Sequence, residues 1–280
     1  MARKDTLYVS DMDGTLLGSD SRISEESREI ITTLSLEGHH ITVATARTPA
    51  TVVPLLEGTL TLPPAIVVTG AALWRRGDGG GYEDVRYFSP ELYSSLTGLF
   101  AAHGLSPFVY TLPDTDGIIH AYRNPTSPLT RGEELFVAQR RGLRLKRFHL
   151  STAAPASAAS KTMLFFAMGP LEPVMRAADY IRKSLPCAVS AYPDIFLSDT
   201  GILEVLAPGV SKAAAVKSLA ERLGLSRIVA FGDNLNDLPM LAAADVAVAV
   251  ENALPEVKAA ATVVIGPNTA SSVARFIAAD

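Results

Sequence analysis

Two acids lie close together directly after the first apolar run of the chain. The segment Asp11-Met12-Asp13-Gly14-Thr15 follows the apolar residues 7–10. Side chains two apart on an extended chain share a face, so Asp11 and Asp13 can reach one point. Two close carboxylates repel each other, and a cation between or beside them is the natural neutraliser. The alternative is that acids and a glycine after a strand form only a loop.

A second polar segment, Gly232-Asp233-Asn234-Leu235-Asn236-Asp237, follows the late apolar run 227–231. It offers two more carboxylates at a predicted strand-to-helix turn. Helix capping explains one Asp or Asn at such a turn well. It explains four polar residues in six positions less well, which favours a second contribution to the same site.

Thr45 and Lys212 add a hydroxyl and a cation. Thr45 follows the apolar run 41–44, with Arg47 close behind, and a hydroxyl with nearby backbone amides can hold a phosphate oxygen. Lys212 comes directly after Ser211, a predicted helix cap, where a cation opposes the helix dipole unless an anion binds nearby. Each signal alone is weak, because many strands end in threonine and most lysines lie on the surface.

Alternating apolar runs and amphipathic stretches are the elements that must position these residues. Short apolar runs predict buried parallel strands, and capped amphipathic stretches such as 24–37 predict helices. Strands that alternate with helices indicate an α/β fold with a parallel sheet, whose ligand sites lie at the carboxyl ends of its strands. The predicted strands are 7–10, 41–44, 65–68, 227–231, 246–250 and 263–265, and the helices 24–37, 211–223, 235–243 and 271–279.

The middle of the chain has a different pattern, which predicts an inserted α+β layer with its own core. We therefore expect two domains: residues 1–83 and 198–280 as a discontinuous core, and residues 84–197 as the insertion. A turn is predicted at 77–81 and an irregular surface connection at 151–160. The predicted helices are 90–103, 130–141 and 171–185, and the strands 108–111, 118–122, 163–167, 188–192 and 195–198.

Composition narrows the function classes. Hydrophobic residues make up 48% of the 280 residues and charged residues 19%, which is typical of a folded globular protein. The net charge of -4 gives no sign of nucleic-acid binding. The single cysteine, Cys187, excludes an internal disulfide and a cysteine metal cage. Apolar runs are too short for a signal peptide or a membrane span, so we expect a cytoplasmic protein without membrane or nucleic-acid partners.

Taken in order, the polar residues resemble the motifs of the haloacid dehalogenase (HAD) superfamily, and more narrowly its Cof-type phosphatases with a large α/β (type C2) cap. All four motifs occur in order, with an insertion between the second and third, and the resemblance covers nearly the whole chain. Ala46 stands where the family often has Gly, and Thr69 where many members have Asn. The matching residues are Asp11, Asp13, Gly14 and Thr15, then Thr45, then Lys212, then Gly232, Asp233, Asn236 and Asp237.

The resemblance implies a Rossmann-like core with an inserted cap, and a magnesium-dependent phosphatase of small phosphorylated metabolites, sugar phosphates foremost. It implies that Asp11 attacks phosphorus to form an aspartyl phosphate, and that Asp13 protonates the leaving oxygen and then activates water. The residues that the resemblance assigns to Mg²⁺ are Asp11, Asp13 through its backbone carbonyl, Asp233 and, close by, Asp237. Those assigned to the phosphoryl oxygens are Thr45, Lys212 and Asn236.

Other functions remain open at this point. One is a narrower sugar-phosphate enzyme, such as a phosphomannomutase or a mannosylphosphoglycerate or sucrose-phosphate phosphatase. Another is a phospho-acceptor signalling module, which also uses an acidic pocket, a hydroxyl and a lysine. The second acid, Asp13, favours turnover because it supplies a base that discharges the intermediate. The substrate and the oligomeric state stay undetermined.

Two further groups of residues receive no catalytic role. The five histidines show no metal-ligand spacing along the sequence. The basic cluster Arg140, Arg141, Arg144, Lys146 and Arg147 is interpreted as a solvated face of the insertion.

Overall fold

A computed structural model describes residues 2–77, 81–114, 116–124, 128–194, 197 and 199–280. The chain divides into two compact units, residues 1–83 with 211–280, and residues 84–210. The predicted return to the core at residue 198 therefore lies too early. Most of the predicted glycine turn at 77–81 and of the predicted strand at 195–198 lies outside the described residues.

The structure contains strands and helices throughout both units. In chain order the strands are β1 (Thr6–Ser10), β2 (His40–Val43), β3 (Ala65–Val67), β4 (Ala72–Arg75), β5 (Gly81–Glu83), β6 (Phe108–Thr111), β7 (Ile119–Tyr122), β8 (Lys146–His149), β9 (Thr162–Pro170), β10 (Ala188–Pro193), β11 (Thr200–Leu206), β12 (Arg227–Gly232), β13 (Val246–Val250) and β14 (Val263–Ile265). The helices are α1 (Glu25–Leu36), α2 (Pro49–Leu55), α3 (Pro90–Ala102), α4 (Arg131–Ala138), α5 (Leu171–Ser184), α6 (Lys212–Leu223), α7 (Leu238–Ala242), α8 (Pro255–Ala260) and α9 (Ser272–Ala279).

The first unit is built on a parallel sheet in the order β14-β13-β12-β1-β2. The interior strand β1 is buried along its whole length, as predicted for this run. Ser10 pairs with Phe231 of β12 on one side and with Val43 of β2 on the other. The carboxyl ends of three strands therefore lie side by side, which confirms the predicted α/β fold class and the shared edge.

Capping residues fix the helices of this unit as predicted. The Ser24 hydroxyl accepts a hydrogen bond from the Ser27 N–H at the start of α1. Ser211 does the same for Ala214 at the start of α6, and Gly224, at φ 66°, ends that helix. The predicted helix 235–243 is divided instead. A 3₁₀ turn at Leu235–Asp237 precedes α7, because Asn234 and Asp237 form a capping box around that turn.

The second unit has a six-stranded mixed sheet in the order β10-β11-β9-β6-β7-β8. The boundary differs from the prediction because β11 pairs antiparallel with both β9 and β10, which keeps residues 200–206 in this sheet. The nine-residue strand β9 is buried except at its last residue. The Phe165 ring packs against those of Phe88, Tyr93 and Phe100, so the unit has a hydrophobic core of its own.

Lys146 corrects the interpretation of the basic cluster as a solvated face. It is buried in β8, and its ammonium donates to the Tyr110 hydroxyl and lies over the rings of Phe136 and Phe148. Burial, followed by the charge of Arg140, lowers its pKa well below the usual lysine value. One member of the cluster thus belongs to the interior of the second unit.

Several elements were not predicted: α2, β8, α8 and β11, together with a 3₁₀ helix at Ala156–Lys161 that overlaps the expected irregular connection. The helices α2 and α8, of seven and six residues, are too short to show a helical period. In the part of the chain that the structure describes, no helix combines the length and the apolar composition that crossing a bilayer requires.

Candidate active site

A buried ammonium joins two of the predicted carboxylates at the carboxyl edge of the parallel sheet. Lys212 Nζ lies 2.5 Å from Asp11 Oδ1 and 2.7 Å from Asp237 Oδ1. Asp11 immediately follows β1, and Lys212 is the first residue of α6. Only 3% of the Lys212 side chain is exposed, so this is an interior lysine and not a surface one. The predicted contributions of three segments therefore meet at one point.

Asp233 completes a group of three acids. Asp11, Asp233 and Asp237 each offer a carboxylate oxygen, and these oxygens lie within 4.8 Å of one another. Three carboxylates face one ammonium here, which leaves an excess of negative charge at a buried site. Oxygen ligands in this number suit a hard divalent cation such as Mg²⁺, so the donor set fits the metal that the sequence resemblance implies.

The pKa values of Asp11 and Asp233 are raised at this buried, negatively charged site. Burial raises the pKa of Asp11 to about 7; Lys212 opposes this increase, and the charges of Asp237 and Asp233 add to it. Burial, and repulsion by Asp237, likewise raise the pKa of Asp233 to about 6, although the Thr15 hydrogen bond opposes the shift. The two neighbouring acids raise the pKa of Lys212 despite its burial, so this lysine stays charged. A bound cation would favour the ionised form of both acids.

Asp237 is the acid most fully occupied by the protein itself. Its Oδ1 binds Lys212, while its Oδ2 accepts hydrogen bonds from the N–H groups of Asp233 and Asn234, both at 3.2 Å. Gly232 is required beside it, because a Cβ at that position would overlap the Asp237 side chain. These contacts suit a residue that orients Lys212 and the loop carrying Asp233.

The turn after Asp11 brings Gly14 and Thr15 against Asp233. Gly14 adopts φ 77°, and a Cβ there would overlap the Asp233 carboxylate, so only glycine fits. The Thr15 hydroxyl donates to Asp233 Oδ1 at 2.7 Å. This contact explains why a polar residue stands at position 15.

Two asparagines hold the same turn and were not predicted from the sequence. Asn252 Nδ2 donates to the Gly14 carbonyl at 2.8 Å, and Asn268 Nδ2 donates to the Leu17 carbonyl at 2.7 Å. The Asn268 N–H in turn donates to Asn252 Oδ1 at 2.9 Å. Asn252 follows β13, and Asn268 begins a 3₁₀ helix after β14. Only their position after strands of the same sheet would have suggested a role.

Asp13 is directed toward Arg47. The two side chains form a bidentate ion pair, with Arg47 Nε and Nη2 at 2.7 and 2.6 Å from the Asp13 carboxylate oxygens. Half of the Asp13 side chain is exposed, at 52%. Its carboxylate is therefore accessible to a substrate, and Arg47, noted in the sequence only as a neighbour of Thr45, holds it in place.

Thr45 is buried at the carboxyl end of β2, and its hydroxyl accepts a hydrogen bond from the Arg47 N–H at 3.1 Å. The next loop supports it: the Thr69 N–H donates to the Thr45 carbonyl, and the Val68 N–H donates to the Arg47 carbonyl. Asn236, by contrast, lies exposed on the 3₁₀ turn before α7. The buried hydroxyl is thus in a fixed position, whereas the amide is presented to solvent.

The supporting loop contains backbone strain that a substitution can test. Val68 and Thr69 both have positive φ, 51° and 56°, and β-branched residues rarely adopt this conformation. Gly70 follows at φ 95°, where a Cβ would overlap the Ser211 carbonyl beside Lys212. The loop therefore approaches the start of α6 closely, and its conformation affects both Thr45 and Lys212.

Replacing Thr69 with Asn is expected to stabilise the protein by about 1 kcal/mol, because Asn tolerates the left-handed region better than Thr. Urea unfolding measures this change. The control is Thr33→Asn on the exposed face of α1, where the two residues have similar helix propensity. A Thr69→Asn variant no more stable than the control would contradict the strain argument.

Comparisons with known proteins show which family this chain belongs to. A model of the haloacid dehalogenase-like hydrolases matches residues 8–277. The putative phosphatase YkrA of Bacillus subtilis is 28% identical over 267 residues, covering 93% of this chain and 92% of the relative. YcsE of the same organism, a 5-amino-6-(5-phospho-D-ribitylamino)uracil phosphatase, is 24% identical over 275 residues, covering 97% and 94%.

A solved structure shares the fold over both units. The structure of the HAD subclass IIB sugar phosphatase BT4131 matches with a TM-score of 0.71 at 18% identity, covering 98% of each chain. The family model spans the β1 turn, the Thr45 loop, Lys212 and the Asp233 loop, so the resemblance found in the sequence motifs is confirmed. The chain belongs to the haloacid dehalogenase-like hydrolase family and is a phosphatase of that family.

Proposed function

We propose that this protein is a magnesium-dependent phosphatase that hydrolyses small phosphate monoesters, sugar phosphates foremost, through an aspartyl phosphate on Asp11. One observation supports this above all others: the buried carboxylate that follows β1 is bonded to a fixed ammonium and lies close to two more acids. The acids here outnumber the ammonium, so the positive charge that attracts a phosphoryl group would come from Lys212 together with a bound Mg²⁺.

In this proposal Asp11 Oδ2 attacks phosphorus, since the Lys212 hydrogen bond is to Oδ1. The Lys212 ammonium and the Thr45 hydroxyl hydrogen stabilise the charge that gathers on the phosphoryl oxygens. Asn236 reaches those oxygens from the exposed turn before α7. Asp237 keeps Lys212 oriented through its two occupied oxygens.

The carboxylates of Asp11 and Asp233 and the backbone carbonyl of Asp13 would hold the metal. When bound, Mg²⁺ would neutralise charge on the phosphoryl group and on the acids that surround it. We assign Asp237 to positioning and not to direct ligation, because protein donors already occupy both of its oxygens.

We assign Asp13 as the general acid and base. It protonates the leaving-group oxygen when the ester bond breaks, and then takes a proton from the water that attacks the aspartyl phosphate. Asp13 must leave its ion pair with Arg47, at least in part, to perform either step. Its exposed position leaves room for that movement.

The class of substrate is proposed from two sources. Asp11 and its neighbours would accommodate any phosphate monoester, because the roles proposed for them involve the phosphoryl group and not the rest of the substrate. YcsE is described as acting on a phosphoribityl compound and BT4131 as a sugar phosphatase, and these names favour phosphorylated polyols and sugars. A panel of phosphate esters assayed for released phosphate tests the proposal. Isomerised sugar phosphate without net phosphate release would instead indicate a mutase.

A persistent phosphoprotein that turns over only in minutes to hours would favour the phospho-acceptor signalling alternative. The acid at position 13 argues against it, because a base two residues from the nucleophile promotes hydrolysis of the intermediate. Steady-state turnover with any ester of the panel excludes it.

We also propose that the second unit, residues 84–210, is a cap that selects the substrate. All residues assigned to chemistry lie in the first unit, and the second unit has its own aromatic core. Excising 84–210 and joining the flanks with a flexible linker is expected to change the ranking of esters by kcat/KM, with p-nitrophenyl phosphate least affected. A folded core that keeps the full-length ranking would contradict this role.

Magnesium affinity is expected to rise with pH between about 5.5 and 8, because the metal competes with protons on Asp11 and Asp233, whose pKa values are raised to about 7 and 6. In the metal-free protein, the folded state binds more protons than the unfolded state, because folding raises the pKa values of Asp11 and Asp233. The stability that they contribute is therefore present at low pH and is lost as pH rises from about 4 to 7. Calorimetric titration at several pH values measures the affinity, and one that does not change with pH would contradict the metal assignment.

A further inference from the structure

Two histidines of the second unit face each other on neighbouring strands, outside the site described above. His120 lies on β7 and His149 on β8, the outermost strand of the six-stranded sheet. The nitrogens His149 Nε2 and His120 Nδ1 are 3.1 Å apart. Tyr122 and Asp116 complete this group, which we call the His120 cluster. The parallel pairing of β7 and β8 brings together histidines 29 positions apart, which explains why sequence spacing gave no signal.

Asp116 determines which nitrogen of His120 carries the proton. Its Oδ2 lies 3.1 Å from His120 Nε2, and its Oδ1 accepts from the Ile118 N–H at 3.0 Å. Burial opposes ionisation of Asp116, but hydrogen bonds from Ile118 and His120 give it a net lowered pKa, so it is a carboxylate that only accepts. His120 Nε2 is then protonated, and in the neutral ring Nδ1 presents its lone pair toward His149.

The remaining contacts hold these nitrogens in place. The Tyr122 ring stacks on His149 with centroids 4.4 Å apart and planes 11° from parallel, and its hydroxyl lies 3.4 Å from His120 Nδ1. Burial, then the charges of His120 and Arg147, lower the pKa of His149, which keeps the ring neutral. The side chains are partly exposed, 12% for His120, so a solute can reach them.

We propose that His120 and His149 bind one divalent transition cation such as Zn²⁺ or Ni²⁺, with the Tyr122 hydroxyl as a third donor. Two imidazole nitrogens on a tetrahedral zinc lie about 3.3 Å apart, given Zn–N bonds of about 2.0–2.1 Å. The observed separation of 3.1 Å is close to this value, so the distance between the two nitrogens needs little change for them to share one ion. A carboxylate on the other nitrogen of a ligating histidine is the usual support of such sites.

The two sites differ in chemistry. The acids near Asp11 offer only oxygen ligands, which suit Mg²⁺, whereas imidazole suits Zn²⁺, Cu²⁺ and Ni²⁺. Excess Mg²⁺ should therefore occupy the acids and leave the His120 cluster available. This difference allows the two sites to be separated in one protein.

Isothermal titration of the full chain with Zn²⁺ in excess Mg²⁺, repeated with Ni²⁺, tests the proposal. We expect saturable binding of one equivalent. We expect His149→Gln and His120→Gln each to weaken it tenfold or more, and Asp116→Asn about tenfold, since loss of the supporting carboxylate typically costs about 10–100-fold. His103→Gln is the matched control, because His103 lies after α3 beside Tyr180 and should leave affinity unchanged.

Three outcomes would overturn the proposal. One is no saturable binding below millimolar metal, in which case the cluster is only a hydrogen-bonded pair. Another is equal affinity of folded His149→Gln and wild-type protein. The third is zinc binding that Asp233→Asn abolishes and the histidine variants leave intact, which would place the ion at the acids. Circular dichroism of each variant confirms that it is folded.

Discussion

Asp11→Asn is expected to abolish hydrolysis of phosphate esters, with a loss of about four orders of magnitude or more, as when other covalent nucleophiles are removed. An amide oxygen does not attack phosphorus at a useful rate, and the substitution also removes the negative partner of Lys212. The variant should remain folded, because it takes a charge out of a buried site where burial already opposes that charge.

The phosphate released from each ester of the panel is measured over hours, so that even a very large loss of activity can be quantified. Asp20→Asn is the matched control, since Asp20 is exposed in the loop after the β1 turn and bonds only locally to the Arg22 N–H. It should keep wild-type turnover. Full activity of Asp11→Asn would contradict the assignment of the nucleophile.

Asp13→Asn is expected to lose about 10²–10⁴-fold in kcat, the usual contribution of a positioned acid or base. Magnesium affinity should survive, because the ligand proposed at this position is the backbone carbonyl. The loss in kcat should be larger for esters whose alcohol is a poor leaving group than for p-nitrophenyl phosphate, whose leaving group needs no proton. A comparison of kcat across such a series, with magnesium titrated separately, measures both effects.

Arg47→Gln provides a companion to that experiment. It removes the bidentate partner of Asp13 and leaves the acid in place. Turnover should fall less than in Asp13→Asn if Arg47 only positions the carboxylate. Wild-type turnover of Asp13→Asn, or complete loss of its magnesium affinity, would contradict the role given to Asp13.

The sequence predicted the edge of the sheet that carries the candidate site, because that edge depends on local patterns. Apolar runs marked β1, β2 and β12, and the polar residues directly after each run had to meet at the carboxyl ends of neighbouring parallel strands. Asp11 and Asp233 do meet there, and Lys212 joins them from the start of α6. The caps at Ser24 and Ser211 were predicted for the same reason, since capping involves residues only a few positions apart.

What the sequence did not reveal depends on contacts between distant segments. The strand β11 joins the second unit because of its antiparallel pairing with β9 and β10, and no local signal places the boundary at 211 and not at 198. Lys146 appeared to be one of several surface cations, yet aromatic rings from α4 and β8 enclose it.

Side-chain partners were equally hidden. The ion pair of Asp13 with Arg47 and the hydrogen bond of Asn252 to the Gly14 carbonyl join positions 34 and 238 residues apart. Residue types alone carry no information about such pairs. The separations show why the site's members were predictable one by one, whereas the contacts that orient them were not.

Chemical trapping of the intermediate tests the central claim most directly. Asp13→Asn mixed with ³²P-labelled p-nitrophenyl phosphate and Mg²⁺, then quenched in acid within milliseconds to seconds, should accumulate covalent label, because the leaving group departs unaided while hydrolysis lacks its base. The account predicts an acid-stable, hydroxylamine-sensitive label on the peptide containing Asp11. Label on another residue, or nitrophenol released with no covalent label at any time, would contradict it.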